Sequence, residues 1–459
     1  MKSLLCTCVM AWSLLAVAGA SLAADSPKPQ AVLTLDDCVR MALKAPPELG
    51  EAQSDIDLAT SKLNEAKSYR YPKLELTTLV GPAPIAYKSA ITPTIKTDES
   101  LFSINALTWF TSADATIIQP LYTFGKISEN MKAATHGIEV DRSRKEQRAN
   151  EIVQKVHEYH NGLLLAREMK ELVLEVKEIL TSAREKARKL LDQGSATVDE
   201  MDLYKLDAFS GEATKYLEEA KKGEALALAA LRARMGMSVD APLEIAPQRL
   251  VLVDVEIPPL ETYLENARRR RPEFHQIAEG LKARAALVEA AKANYYPDIF
   301  LGGLFSWAYS DERDRIQNPY INDSFNHLNA GIALGARWKL DFGITGAKVA
   351  GERAQYNRLL STREFADANI PLQVKKYYLD LIEARNSAIA TRDAYLNAKK
   401  WAITAIANFD FGMGPAKDIF EAVQAYSGMR ADFFKSIYNY RIAAANLDYA
   451  TNEPLRSHE

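Results

Sequence analysis

Between Lys126 and Gln193 the chain has no proline and only two glycines, Gly137 and Gly162. Within this run Val173, Val176, Leu180, Ala183, Ala187 and Leu190 recur at steps of three and four, the spacing of a heptad seam rather than of a broad amphipathic face. At ~1.5 Å per residue such a helix is roughly 100 Å long, far beyond the width of one globular core. The body it belongs to must be elongated. A second run, Ile344 to Phe411, follows the same plan, with Val374, Tyr377, Leu381, Ile406 and Phe409 on its seam and Pro371 as an expected kink.

The two runs are parts of a longer internal repeat. Phe124 and Gly125 match Phe342 and Gly343, and Val156, Tyr159, Leu163, Ala166, Arg167, Asp192 and Gly194 match Val374, Tyr377, Leu381, Ala384, Arg385, Asp410 and Gly412, every pair 218 residues apart. Upstream, Ala42, Pro47, Glu48, Ala66, Lys67, Tyr71 and Pro72 match Ala267, Pro272, Glu273, Ala291, Lys292, Tyr296 and Pro297 at an offset of 225. The change of offset falls between Pro72 and Phe124, so the two copies differ in one loop there. Each copy reads as helix, two strands, long helix, turn and helix. The first spans 33–240, with a hairpin at about 73–120, a long helix at 125–193 and a helix at 198–235. The second spans 241–452, with a hairpin at about 298–341, a long helix at 344–411 and a helix at 415–450.

In the hairpins the apolar period changes from helical to two. Ala330, Ile332, Leu334, Ala336, Trp338 and Leu340 alternate with small or charged residues, and Ile299, Leu301, Phe305, Trp307 and Tyr309 share one face of the preceding strand. Each run is close to the ~9–11 residues a tilted strand needs to cross a bilayer. Trp307, Tyr309 and Trp338 near strand ends, with Tyr71, Tyr295 and Tyr296 at helix-to-strand junctions, have the placement of membrane-interface aromatics. In the first hairpin Leu74, Leu76, Thr78 and Val80 alternate well, whereas the strand within Thr108 to Gln119 has no clear period.

The N-terminus carries Lys2, an apolar stretch from Leu4 to Ala18 and small residues up to Ala24, the pattern of a secretory signal peptide over residues 1–23, with cleavage expected after Ala23 or Ala24. Beyond it Cys38 is the sole cysteine, which excludes an intramolecular disulfide and a cysteine-rich metal site. A formal net charge of −3 gives no reason to expect nucleic acid, and the basic run Arg268 to Arg271 reads as a solvated helix end or a neighbour of lipid headgroups. His157 and His160 stand three apart in a helical run without a third ligand, so no metal is expected there. No catalytic constellation or phosphate loop stands out, and neither an enzyme nor a cofactor is expected.

These features together resemble the TolC family of outer membrane efflux proteins. The resemblance runs from the opening LTLDDCVRMALK to about Asn452 and rests on the paired A-K-x-x-x-Y-P motifs, the F-G pairs and the turns DQGSATVDEMD and DFGMGPAKDIFEA. It implies a mainly α fold with a transmembrane β-barrel portion: a homotrimer whose 12-stranded barrel in the outer membrane continues as a periplasmic α-barrel. It also implies a passive exit duct for an efflux or type I secretion system, in contact with outer membrane lipid. A periplasmic adaptor and a proton- or ATP-driven inner-membrane pump would be its partners. Two readings compete with it: a structural or adhesive coiled-coil surface protein, which would lack the two alternating hairpins, and a secreted pore-forming protein, which would be soluble before insertion.

The resemblance further places Gly194 and Gly412 at the periplasmic tip and makes Asp418 and Glu421 an acidic ring at the entrance. Their spacing of three puts both on one helix face. An N-terminal helix dipole alone would also favour them. Gln193, Gly194, Ser195, Ala196 and Thr197, with Phe411, Gly412, Met413 and Gly414, are the adaptor-docking candidates. Glu200 aligns with Asp418 in the first copy and is a candidate tip-gate residue. The position two after Gly412, often Arg in the family and part of its closed-state lock, is Gly414 here.

Overall fold

A computed structural model describes residues 32–44, 46–85, 107–194, 198–253, 256–313, 315, 320, 323–411 and 413–453. The expected signal peptide, together with Ser195, Ala196, Thr197 and Gly412, lies outside them.

The first copy opens with a two-residue strand, β1 (Val32–Leu33), and two helices, α1 (Leu35–Lys44) and α2 (Pro47–Ser68). It continues through strands β2 (Lys73–Pro84) and β3 (Leu107–Tyr122) into α3 (Lys126–Asp192) and α4 (Glu200–Arg234). The second contains β4 (Glu244–Ile245), α5 (Leu260–Arg270), α6 (Pro272–Lys292), β5 (Asp298–Ser310), β6 (His327–Arg337), α7 (Ile344–Asp410) and α8 (Ala416–Thr451). Helices α3 and α7 each have 67 residues.

Local chemistry sets the boundaries. Pro47 and Pro272 occupy the first turns of α2 and α6, where a missing N–H costs nothing. Phe124 and Phe342 both take positive φ, 48° and 42°, and the glycine after each follows at 93° and 145°. Glycine alone enters that region without steric cost, so both strand-to-helix corners depend on it. Asp341 accepts hydrogen bonds from the Thr345 N–H at 3.0 Å and its hydroxyl at 2.7 Å, which holds the start of α7. The second hairpin ends at Arg337 rather than near residue 341. The Trp338 indole N–H turns away from the ladder and donates to the Tyr295 carbonyl at 3.0 Å. Helix α7 runs through Pro371 without a break.

Packing orders α2, α3, α6 and α7 side by side in one layer, with α4 on α3 and α8 against both α3 and α7. The seams are buried as their spacing requires: Leu180, Ala183 and Ala187 on α3 join Phe409 of α7 and Ile419, Phe420 and Val423 of α8 in one cluster. Higher up, Val156, Leu163 and Leu164 pack with Cys38, Leu231, Ile245 and Ile437. That cluster is closed by β1 and β4, which pair in parallel and tie the start of the chain to the linker between the copies. Burial pushes the Cys38 thiol up to about 12, so it packs as a small apolar side chain. His160 lies fully inside this region and burial takes its imidazole down to about 4, opposed in part by the Ala246 backbone.

Candidate conduit surface and tip

The four long strands form one antiparallel sheet in the order β2, β3, β5, β6. Its register sorts every residue onto one of two faces. Leu74 lies opposite Ile117, Ile117 opposite Gly303 and Gly303 opposite Ile332. The next row on the same face is Leu76, Ala115, Phe305 and Ala330. This face is apolar and uncovered: Leu74 is 70% exposed and Ile332 81%. The opposite face carries Thr77, Asp114, Ser306 and Asn329 in one row. Ser306 there donates to Asp114 at 2.5 Å and meets the His327 ring at 2.7 Å.

Glycine fits this sheet where rings approach the backbone. A Cβ at Gly335 would come within 2.6 Å of the Phe300 ring, over which the Arg337 guanidinium lies at 5.1 Å. The aromatic residues fall into two groups at the ends of the sheet. Tyr71, Tyr295, Tyr296 and Trp338 are exposed at the helix end, and Trp307 and Tyr309 are exposed toward the far end. Two further exposed rings, Trp109 far from the helices and Tyr122 next to them, escaped sequence reasoning because the β3 segment shows no clean alternation. No described helix is long and apolar enough to cross a membrane.

At the other end of the long helices the two turns lie together, since Ala187, Val198, Phe409 and Ala416 share one cluster. Gln193 caps α3 and Gly194 follows at φ 75°; both are exposed. Asp199 begins α4 through a reciprocal capping box with Asp202. Glu200 is thus the first helical residue and exposed, with no ion pair among the described residues. In the second turn the Met413 N–H bonds the Asn408 carbonyl at 2.9 Å. Phe411 and Met413 are 77% and 72% exposed, whereas Gly414 is buried with the Asn408 side chain against it. Gly414 is therefore part of the turn's packing rather than of its surface.

Asp418 and Glu421 project from the first turns of α8 on the face away from Ile419, Phe420 and Val423. Lys417 approaches Glu421 at 3.6 Å, a solvent-exposed contact of little energetic weight. Further along the bundle, Glu175 of α3 pairs with Arg430 of α8 and accepts the Tyr426 hydroxyl at 2.7 Å. Burial first, and then this hydrogen bond, push the Tyr426 hydroxyl up to about 12. His157 and His160 are both buried, and no described cluster of His, Cys, Asp or Glu could hold a metal.

Comparison with known proteins fits this geometry. Protein CyaE of Bordetella pertussis is 28% identical over 169 residues, 37% of this chain and 34% of that protein, so the match spans about a third of the relative's length. The CmeC outer membrane channel of Campylobacter jejuni superposes with a TM-score of 0.76 at 16% identity, over 93% of this chain and 87% of that one. The outer membrane protein VceC from Vibrio cholerae gives 0.73 at 14% identity, over 92% and 97%. A family model described as outer membrane efflux protein matches residues 38–236 and 263–453, and on that match, which takes in both copies of the repeat, the chain belongs to the outer membrane efflux protein family.

Proposed function

We propose that the protein is a passive, non-enzymatic exit duct of the Gram-negative outer membrane, working as a homotrimer. The observation that carries this reading is the four-stranded sheet, with one uncovered apolar face and no strand pairing the outer edges of β2 or β6 among the described residues. Lipid tolerates neither unpaired strand edges nor a sheet of this width left open. Three copies joined β6 to β2 make a closed 12-stranded barrel with the apolar face outward. The layer of α2, α3, α6 and α7 continues it as a helical barrel through the periplasm. An adhesive coiled-coil protein would have no use for the apolar face.

The aromatic groups agree with a membrane-spanning height. Tyr296 and Trp307 are 11 residues apart, which is ~36 Å along a strand and about 25 Å along the normal at a ~45° tilt. Tyr71, Tyr295, Tyr296 and Trp338 then face the periplasmic interface, and Trp307 and Tyr309 the external one. At the tip, a trimer sets six carboxylates from Asp418 and Glu421 around one opening, with Glu200 beside them as a gate residue. Such a ring attracts cations and disfavours anions. Exposed Gln193, Gly194, Phe411 and Met413 are the docking residues for a periplasmic adaptor, with Ser195, Ala196, Thr197 and Gly412, outside the described residues, as the sequence candidates beside them, and an inner-membrane pump supplies the energy.

The test is to extract the protein from outer membranes and place it in a planar bilayer. Trimers that resist heat in detergent and conduct ions are the expected result. A soluble monomer without conductance would overturn the reading.

A further inference from the structure

Where the sheet meets the helices, α2, α3, α6 and α7 enclose a groove of about 1220 Å³. Its strand wall includes Lys73, Ile118, Phe300 and Arg337. The register puts these four on the face opposite Leu74, Ile117, Leu301 and Ala336, and only Ile299 of that apolar face also touches the groove, so it opens mainly to the inside of the duct. Seven Lys or Arg side chains line it against three carboxylates, Glu65, Asp141 and Asp298.

The pairing of these charges leaves a strong excess of one sign. Lys126 binds Asp298 at 2.8 Å, Arg144 binds Asp141 at 2.8 Å, and Arg284 reaches Glu352 at 3.5 Å. Lys62, Lys73, Arg337 and Arg358 have no carboxylate partner among the described residues. Lys73 and Arg337 lie over the rings of Tyr69 and Phe300, contacts that position a cation without neutralising it. Glu65, the remaining carboxylate, accepts a hydrogen bond from the Tyr69 hydroxyl at 3.3 Å.

We infer that this groove is an anion-binding section of the conduit, and that carboxylate- or phosphate-bearing solutes are held there on their way to the barrel. The inference deepens the duct reading and rests on it. Like charges gathered on one concave wall repel each other and add nothing to folding, whereas the low-dielectric walls concentrate their field on the space they enclose. A homotrimer triples the excess around a single lumen. The duct then has two opposed filters in series: carboxylates at Asp418 and Glu421 at the entrance, and cations at Lys62 and Arg358 below the barrel.

Two measurements test this. In the tip-neutralised background Asp418→Ala/Glu421→Ala, reversal potentials in a KCl gradient should show chloride preferred over potassium by about twofold or more. Adding Lys62→Glu/Arg358→Glu should invert that preference. Independently of whether the tip is open, pyrophosphate titrated into the purified trimer should bind at least about tenfold more weakly to Lys62→Glu/Arg358→Glu than to wild type. Both variants must run as heat-resistant trimers. A tip-neutralised channel that stays cation-selective, or pyrophosphate binding equal in the two proteins, overturns the inference and leaves the duct standing. A soluble monomer without conductance overturns the duct reading, and the inference with it.

Discussion

Phe124 stacks on Tyr296 with ring centroids 5.0 Å apart and planes 13° from parallel. The contact joins the strand-to-helix corner of the first copy to the helix-to-strand junction of the second, and Tyr122 meets the same Phe124 ring edge-on at 4.7 Å. Phe124 holds φ at 48° so that Gly125 can follow at 93°. The corner is thus fixed by two rings and a glycine.

Phe124→Ala should cost about 1–2 kcal/mol through the lost ring contacts. Gly125→Ala should cost a similar ~1 kcal/mol by forcing a Cβ into the left-handed region. The measurement is the temperature at which trimers dissociate in detergent, with Tyr71→Phe as a control expected to stay at the wild-type value.

Ile332 and Ala333 are neighbours on β6 but belong to opposite faces of the sheet. Ile332→Arg should place a charge in hydrocarbon near mid-membrane, at a cost of about 2–4 kcal/mol per copy, and reduce the yield of assembled trimer. Ala333→Arg should assemble and change conductance instead. Equal assembly of the two variants would contradict the assignment of faces.

Asp418→Ala/Glu421→Ala should lower the preference for potassium over chloride and abolish block by a trivalent cation added from the periplasmic side. If the two carboxylates serve only the dipole of α8, selectivity will not change and stability will fall by about 0.3–1 kcal/mol. Single-channel recording and urea unfolding of the same preparation separate the two roles.

His160 gives the protein an acid limit. Its imidazole titrates at about 4 in the fold against 6.5 for an unburied histidine. Between those values the unfolded chain binds a proton that the native state refuses. Stability is therefore full above pH 6.5, falls as the pH drops toward 4, and loses up to about 3 kcal/mol from this group. His160→Leu should flatten that part of the pH profile in urea unfolding, because no proton is then taken up on opening.

Much of the fold can be read from residue order because its signals are local. The seam Val173 to Leu190 needs only the helical period, the row Ala330 to Leu334 only the period of two, and the Gly194 and Gly412 turns only the interruption of a long helix. The acidic pair Asp418 and Glu421 is legible for the same reason, three residues being one helical turn. Pairings between distant segments leave no such trace. Nothing in Val32 and Leu33 announces a parallel partner at Glu244 and Ile245, and the end of β6 at Arg337, four residues short of Asp341, leaves no local mark. The basic groove is the clearest case. Lys62, Lys73, Arg337 and Arg358 are scattered over nearly 300 residues, each looking like an ordinary solvated charge, and only the side-by-side packing of four helices at the end of the sheet brings them around a common space.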